Sequence, residues 1–337
     1  MILVRAPLRI SFVGGGTDLP DFYHKSPGRV ISATIDKFVF LAINPTPMIN
    51  KISLRYSVSE TVDRPDQLQH TRVKAALLDL GIHNNLEIGS FAALPAKTGL
   101  GSSSSFSVGL MKGLNAYLGK KLTKEEAAEA ACRLEIDLVG EPIGKQDQYA
   151  AAFGSFNIFQ FNPDDSVAVE PVYLDYKKQA LLQDHFLLFF TGITRAAATV
   201  LGQQKSKIGE NFETYKKMAD SVFDFKKLLL VGDVKGMADM LHEGWLRKKS
   251  LATNVSSSLI DVLYETGLQN GALGGKILGA GGGGCILFLA PPEKHEIIFR
   301  ALKDITERAG LTESARIPFK FVHSGTDVLF HHSHQSI

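Results

Sequence analysis

Apolar and polar positions divide the chain into short segments of distinct period. Ile2 to Val13, ILVRAPLRISFV, is strand-like and closes on the turn-forming run Gly14-Gly15-Gly16-Thr17-Asp18, which predicts an opening strand and a tight turn. Val30 to Ile43 continues in β-rich residues able to form a hairpin, and Leu86 to Ala92 reads as a further strand. After LPAKTGLGSSSS, the residues Phe106, Leu110, Leu114 and Leu118 recur four apart and predict a helix with one apolar face. Thr123 and Glu126 have the S/T-x-x-E spacing of a capping box, so a second helix starts there. It is expected to run to about Val139, with Glu135 near its end and Gly140 to Asp147 as loop.

Phe156 to Phe161 and the continuous apolar run Phe186 to Phe190 predict two more strands. Helical periods follow at Asn211 to Leu230, Val234 to Lys248 and Ser258 to Leu268. The glycine-rich KILGAGGGG leads into a strand-like CILFL, then a helix over Glu293 to Ala309 and a strand at IPFKFV. The shift toward helix places a boundary near residue 183, giving domains 1–182 and 183–337. Alternation of strands and helices in both halves predicts an α+β fold. No internal repeat is visible.

Composition narrows the function. The 337 residues are 45% hydrophobic and 21% charged, enough for two compact cores. Basic and acidic residues nearly cancel, 37 against 35, so no overall field favours nucleic acid or an anionic membrane. Any anion affinity must be local. Arg5, Pro7 and Arg9 interrupt the N-terminal apolar segment, which reads as a strand and not a signal peptide, and no apolar run reaches bilayer length. Cys132 and Cys285 lie far apart in apolar stretches without metal spacing, which fits a reducing cytoplasm.

The segment from Pro95 to Ser105, PAKTGLGSSSS, carries the most chemical information. Glycines allow backbone N–H groups to converge, and the helix that follows adds the positive end of its dipole, so the two form an anion site suited to polyphosphate. The alternative is a flexible linker ahead of a Ser-rich cap. Position between a strand and a strongly periodic helix favours the anion site. No GxxxxGK[ST] occurs. The late GAGGGG satisfies GxGxxG, but it precedes a strand instead of opening a helix, against a dinucleotide fold; a tight hairpin is the other reading. Glu135 taken alone reads as a solvated helix carboxylate, with Asp137 two residues away. His331, His332 and His334 read as a polar tail.

PAKTGLGSSSS resembles the second motif of the GHMP kinases. RAPLRISFVGGGTD is similar to their first motif, GGKILGAGGGGCILFL to their third, and EPIGKQDQY to their active-site aspartate segment. The resemblance spans the whole chain. It implies a two-domain fold, with an N-terminal α/β domain of the ribosomal-protein-like type and a C-terminal ferredoxin-like α+β sandwich. It further implies ATP as phosphate donor and Mg²⁺ as cofactor. By the same resemblance Asp147 and Arg9 are catalytic. Lys97, Gly99, Leu100, Gly101, Ser102, Ser103, Ser104, Ser105, Gly281 and Gly282 bind ATP, Ser103 and Glu135 hold the metal, and Gly15, Gly16, Thr17, Asp18, Asp147 and Arg195 bind the acceptor.

Galactokinases carry Glu and His where Gly15 and Gly16 stand here. The GGGTD turn looks most like that of the D-glycero-D-manno-heptose 7-phosphate kinases, which implies a sugar phosphate as the small-molecule partner, with no nucleic acid, no membrane, and a monomer or homodimer. Arg5, Arg72, Lys97 and Arg195 are candidates for the distal phosphate. A fucokinase-like or galactokinase-like sugar 1-kinase is the alternative, and a non-catalytic sugar sensor on the same scaffold a more distant one.

Overall fold

The computed structural model describes residues 1–194, 197–252 and 255–331. β1 (Ile2–Val13) and β2 (Gly28–Pro45) form a long antiparallel hairpin around the short α1 (Pro20–Tyr23), pairing from Ile2 opposite Ile43 to Val13 opposite Ile31. The ladder shifts register after Pro7, which has no N–H to give, and again before Val13. β3 (Ile52–Arg55), β4 (Ser59–Val62), α2 (Thr71–Asp79) and β5 (Leu86–Ala92) follow, with β5 antiparallel to β2 and parallel to β3.

The helix α3 (Ser102–Tyr117) packs across β1 and β2. Phe106, Leu110 and Leu114 are buried as their spacing predicts, each burial contributing about 1.5–3 kcal/mol. Leu118 caps the helix and is partly exposed.

α4 (Lys124–Cys132) begins at the capping box, with Thr123 accepting from the Glu126 amide and Glu126 accepting from the Thr123 amide. It does not run as an α-helix to Val139. A π turn over Arg133–Leu138 changes the register, so Glu135 faces inward while Asp137 faces solvent. The loop expected over 140–147 ends early, because α5 (Gln146–Phe153) places Asp147 in its first turn. β6 (Phe156–Phe161) pairs with β2, and β7 (Val167–Pro171) with β6.

After α6 (Tyr176–His185) comes β8 (Phe186–Phe190), then α7 (Ala197–Ser206), α8 (Phe212–Val231), α9 (Val234–Leu251), α10 (Ser258–Gln269), β9 (Gly274–Ile277), β10 (Cys285–Leu289), α11 (His295–Arg308), β11 (Ala315–Arg316) and β12 (Asp327–His331). Among the described residues there are two sheets, one ordered β12-β1-β2-β5-β3-β4 with β6 and β7 branching from β2, the other β11-β8-β10-β9. The second sheet is antiparallel throughout and has the ferredoxin-like strand order. Its two central strands, β8 and β10, are buried on both faces, so they read as unbroken apolar runs.

IPFKFV is not a strand. Pro318 lacks a donor, and the segment divides its bonds between the sheets: Ile317 N–H to Leu188 O at 2.8 Å, Val322 N–H to Thr34 O at 3.0 Å. One isolated bridge, Ile35 with Phe321, remains. We propose the domain division at 182/183, within α6, the helix that carries the chain from the first sheet to the second; β12 crosses back to pair with β1, and α8 packs against β1 and β2.

Candidate active site

The phosphate-loop segment and the late glycine run meet face to face. Gly99 has φ +82°, and a Cβ there would lie 2.5 Å from Leu278 O, so only glycine permits this approach. Cys285 N–H donates to Thr98 O at 2.9 Å, locking the two segments together. Between them and the β1 turn lies a cavity of about 390 Å³, within the range of small-ligand sites. Gly99, Gly101, Ser102, Ser103, Ser104 and Lys97 form one wall; Gly279, Ala280, Gly281 and Gly283 face them. Gly101, left-handed at φ 75°, starts α3, so the free amides of the helix's first turn lie at this wall. The geometry fits a nucleotide polyphosphate. Lys97 also adopts a left-handed backbone, φ 65°.

Arg9 comes from β1 and is buried. Its Nε donates to Asp147 Oδ1 and its Nη2 to Asp147 Oδ2, both at 2.7 Å, while Nη1 donates to Gly99 O at 2.6 Å. Asp147 retains a partly exposed edge facing the cavity. Beside it Gln146 donates from its side-chain amide to Asp18 Oδ1 at 2.8 Å and from its backbone to Oδ2 at 3.1 Å; Gly16 N–H also donates to Oδ1. A Cβ at Gly144 would sit 2.0 Å from Asp18 Oδ2, which explains glycine there. Burial pushes the Asp18 carboxyl up, opposed by the Gln146 amide and reinforced by the charge of Asp147. Two carboxylates with different surroundings thus line one end of the cavity, next to Gly15 and Gly16.

Glu135 is fully buried. Its Oε1 accepts from Arg72 Nε at 3.0 Å and Ser107 Oγ at 2.9 Å, and its Oε2 from Ser104 Oγ at 2.9 Å and Gln148 Nε2 at 2.5 Å. Burial pushes its pKa up, with Arg72 opposing. Ser104 and Arg72 line the cavity, and Glu135 stands behind them. Arg72 also bridges to Glu141, which reaches the cavity and which the sequence did not single out. The donors Ser103, Glu135 and Glu141 are hard oxygens that suit Mg²⁺ in kind. Glu135 ligates only if one of its four donors turns away, whereas Glu141 is already at the wall.

Several predicted residues do not reach the cavity wall. Leu100 is in the core, its carbonyl taken by Arg9 N–H at 3.0 Å. Ser105 Oγ donates to Pro7 O at 2.7 Å, tying α3 to β1. Thr17 Oγ1 holds the β1 turn through Gly14 O at 2.8 Å. The Gly282 amide donates to Val255 O at 2.8 Å. Arg5 stacks on Phe38 and bonds Ser324, away from the cavity. Arg195 lies outside the described residues, as do His332 and His334.

Two buried cations went unnoticed in the sequence. Lys276 Nζ donates to Ser11 O at 2.9 Å and Phe12 O at 2.6 Å, and Lys248 Nζ donates to Gly279 O. Lys276 stands inside the quoted glycine motif and was readable there; Lys248 looks like any lysine near a helix end.

Residues 70–155 match the GHMP kinases N terminal domain and residues 225–306 the GHMP kinases C terminal domain. A D-glycero-alpha-D-manno-heptose 7-phosphate kinase of Campylobacter jejuni is 29% identical, over 90% of this chain and 93% of its own. A galactokinase of Thermococcus kodakarensis is 27% identical over 90% and 93%. The crystal structure of a D-glycero-D-manno-heptose 1-phosphate kinase from Bacteriodes thetaiotaomicron superposes with a TM-score of 0.81 at 27% identity, covering 99% of this chain and 100% of that one. Among the described residues no helix is long and apolar enough to cross a membrane.

Proposed function

The chain belongs to the GHMP kinases and is an ATP-dependent sugar kinase; from that premise we propose that its acceptor is D-glycero-D-manno-heptose 7-phosphate. The product would be the 1,7-bisphosphate, formed at the anomeric hydroxyl and leading toward nucleotide-activated heptose. The observation that carries the reading is the Asp147–Arg9 pair at a cavity edged by Gly15 and Gly16. A turn without side chains leaves room for a seven-carbon sugar, and two relatives bear heptose in their names.

Asp147 receives or orients the acceptor hydroxyl proton, and Arg9 fixes the carboxylate through both oxygens. Asp18, pinned by Gln146, binds a sugar hydroxyl. The loop amides of Gly99 to Ser104 cradle the nucleotide's phosphates, and Lys97 adds charge there. Magnesium, held by Ser103 with Glu135 or Glu141, would neutralise phosphate charge when bound. We place the reaction in the cytoplasm, in keeping with two buried free cysteines.

The test is ADP release measured across heptose 7-phosphate, mannose, fucose and galactose, with phosphorus NMR locating the new ester. Rapid turnover of a plain hexose beside inert heptose phosphate would overturn the choice in favour of a galactokinase-like or fucokinase-like enzyme.

A further inference from the structure

Among the described residues, five cationic side chains line the cavity: Arg9, Arg72, Lys97, Lys248 and Lys276. Arg9 is committed to Asp147 and Gly99, and Arg72 to Glu135 and Glu141. Lys276 gives two hydrogen bonds to the carbonyls at the end of β1. Lys97 is exposed. Lys248 differs from all of these. Only 7% exposed, it projects from α9 into the cavity, and among the described residues its ammonium makes one bond, to the carbonyl of Gly279, and no ion pair with a carboxylate.

An ammonium has three N–H donors, and burying one without a paired anion is unfavourable. A purely structural cap for Gly279 O needs only a neutral donor. The glycine loop that Lys248 holds contacts the phosphate loop on one side, since a Cβ at Gly279 would lie 2.7 Å from the Gly99 Cα. On the other side are the acceptor groups, and the fields of Arg9, Asp18 and Asp147 all reach the Lys248 ammonium.

We propose that Lys248 is a phosphate-binding residue of this cavity, its unused donors receiving a terminal phosphate group where the nucleotide and acceptor ends meet. The inference rests on the kinase reading and adds to it a residue that selects phosphate-bearing ligands. Two sources supply that chemistry: the γ-phosphate of ATP and the phosphate carried by the sugar.

The experiment uses the full chain and Lys248→Gln, which keeps a neutral donor for Gly279 O. Calorimetry measures ATP and ADP without acceptor; kinetics compare heptose 7-phosphate with unphosphorylated heptose. A loss on the order of 10- to 100-fold, the worth of one charge-assisted hydrogen bond, is expected in one arm. Weakened ATP with unchanged ADP assigns the γ-phosphate. A raised KM for the phosphorylated sugar alone assigns the acceptor. Equal behaviour of variant and wild type in both arms overturns the proposal while leaving the kinase reading intact. A wild-type protein that binds neither ATP nor sugar phosphate overturns both. If Lys248→Gln does not fold, ¹⁵N-lysine NMR of the wild type follows the buried ammonium during titration with ATP and sugar phosphate; a Lys248 signal unmoved by both ligands overturns the proposal, and a shift with one names the source.

Discussion

Arg9 and Asp147 stand 138 positions apart in sequence, yet they meet through two parallel hydrogen bonds of 2.7 Å. The third arm of the same guanidinium holds Gly99 O at 2.6 Å. One side chain thus ties the Asp147 carboxylate to the glycine loop across the cavity, the two ends at which we propose acceptor and nucleotide bind. Only a planar fork can do both at once.

Asp147→Ala is therefore expected to abolish transfer while leaving ATP affinity within about threefold of wild type, because Asp147 meets the nucleotide wall only through Arg9, whose own bond to Gly99 O is retained in the variant. Single-turnover assays beside calorimetry check it. Near-normal turnover would remove Asp147 from the mechanism. Arg9→Lys, which keeps charge but loses the fork, is expected to reduce kcat by about 10²–10³-fold.

Gly99→Ala tests the contact between the two glycine segments. Its Cβ would fall 2.5 Å from the Leu278 carbonyl, with the residue held at φ +82°. Strain of this kind costs about 1–3 kcal/mol, read from the urea midpoint. ATP binding is expected to weaken as the loops part, and unchanged affinity would mean that their contact does not shape the nucleotide site.

The sequence disclosed the elements whose burial is local. The four-residue spacing of Phe106, Leu110 and Leu114 and the Thr123–Glu126 cap announce their helices because neighbours in the chain supply the signal. Asp147 was legible through its flanking residues, although its placement in the first turn of α5 was not. Glu135 and Asp137 could not be separated by an ideal helical period, since the π turn that buries one and exposes the other is an irregularity of packing. Arg72, Glu141 and Lys248 matter through partners 63, 69 and 31 residues away, distances at which single-chain periodicity is silent. IPFKFV misled because its apolar content reflects contact with two sheets at once.

Arg72→Met strands a fully buried carboxylate. Arg72 is the cationic partner of Glu135, so its loss should destabilise the fold by about 3 kcal/mol at neutral pH. Glu135 has a folded pKa above its ordinary 4.5 because of burial, and the variant raises it further. Such a group's favourable contribution is complete below 4.5 and is lost as pH rises through the folded value. The deficit of Arg72→Met should accordingly shrink toward acid pH in paired denaturation curves. A pH-independent deficit would show that Arg72 acts by packing alone.

Lys248 should make binding and stability move in opposite directions with pH. Burial, with help from Arg9 and against Asp18 and Asp147, lowers its pKa from 10.5 to about 8; Lys276 is its other charged neighbour. Between about 8 and 10.5 the unfolded chain keeps a proton that the folded chain has released, so this residue's share of stability rises with pH across that window, on the order of 3 kcal/mol in all. Over the same range a phosphate ligand loses its ammonium partner, and affinity should fall as pH passes about 8. Lys248→Gln should lack both trends. Calorimetric titrations and denaturant melts at pH 7 and pH 9 measure the two slopes, and a wild-type affinity that holds steady while the stability gain appears would separate the buried charge from ligand binding.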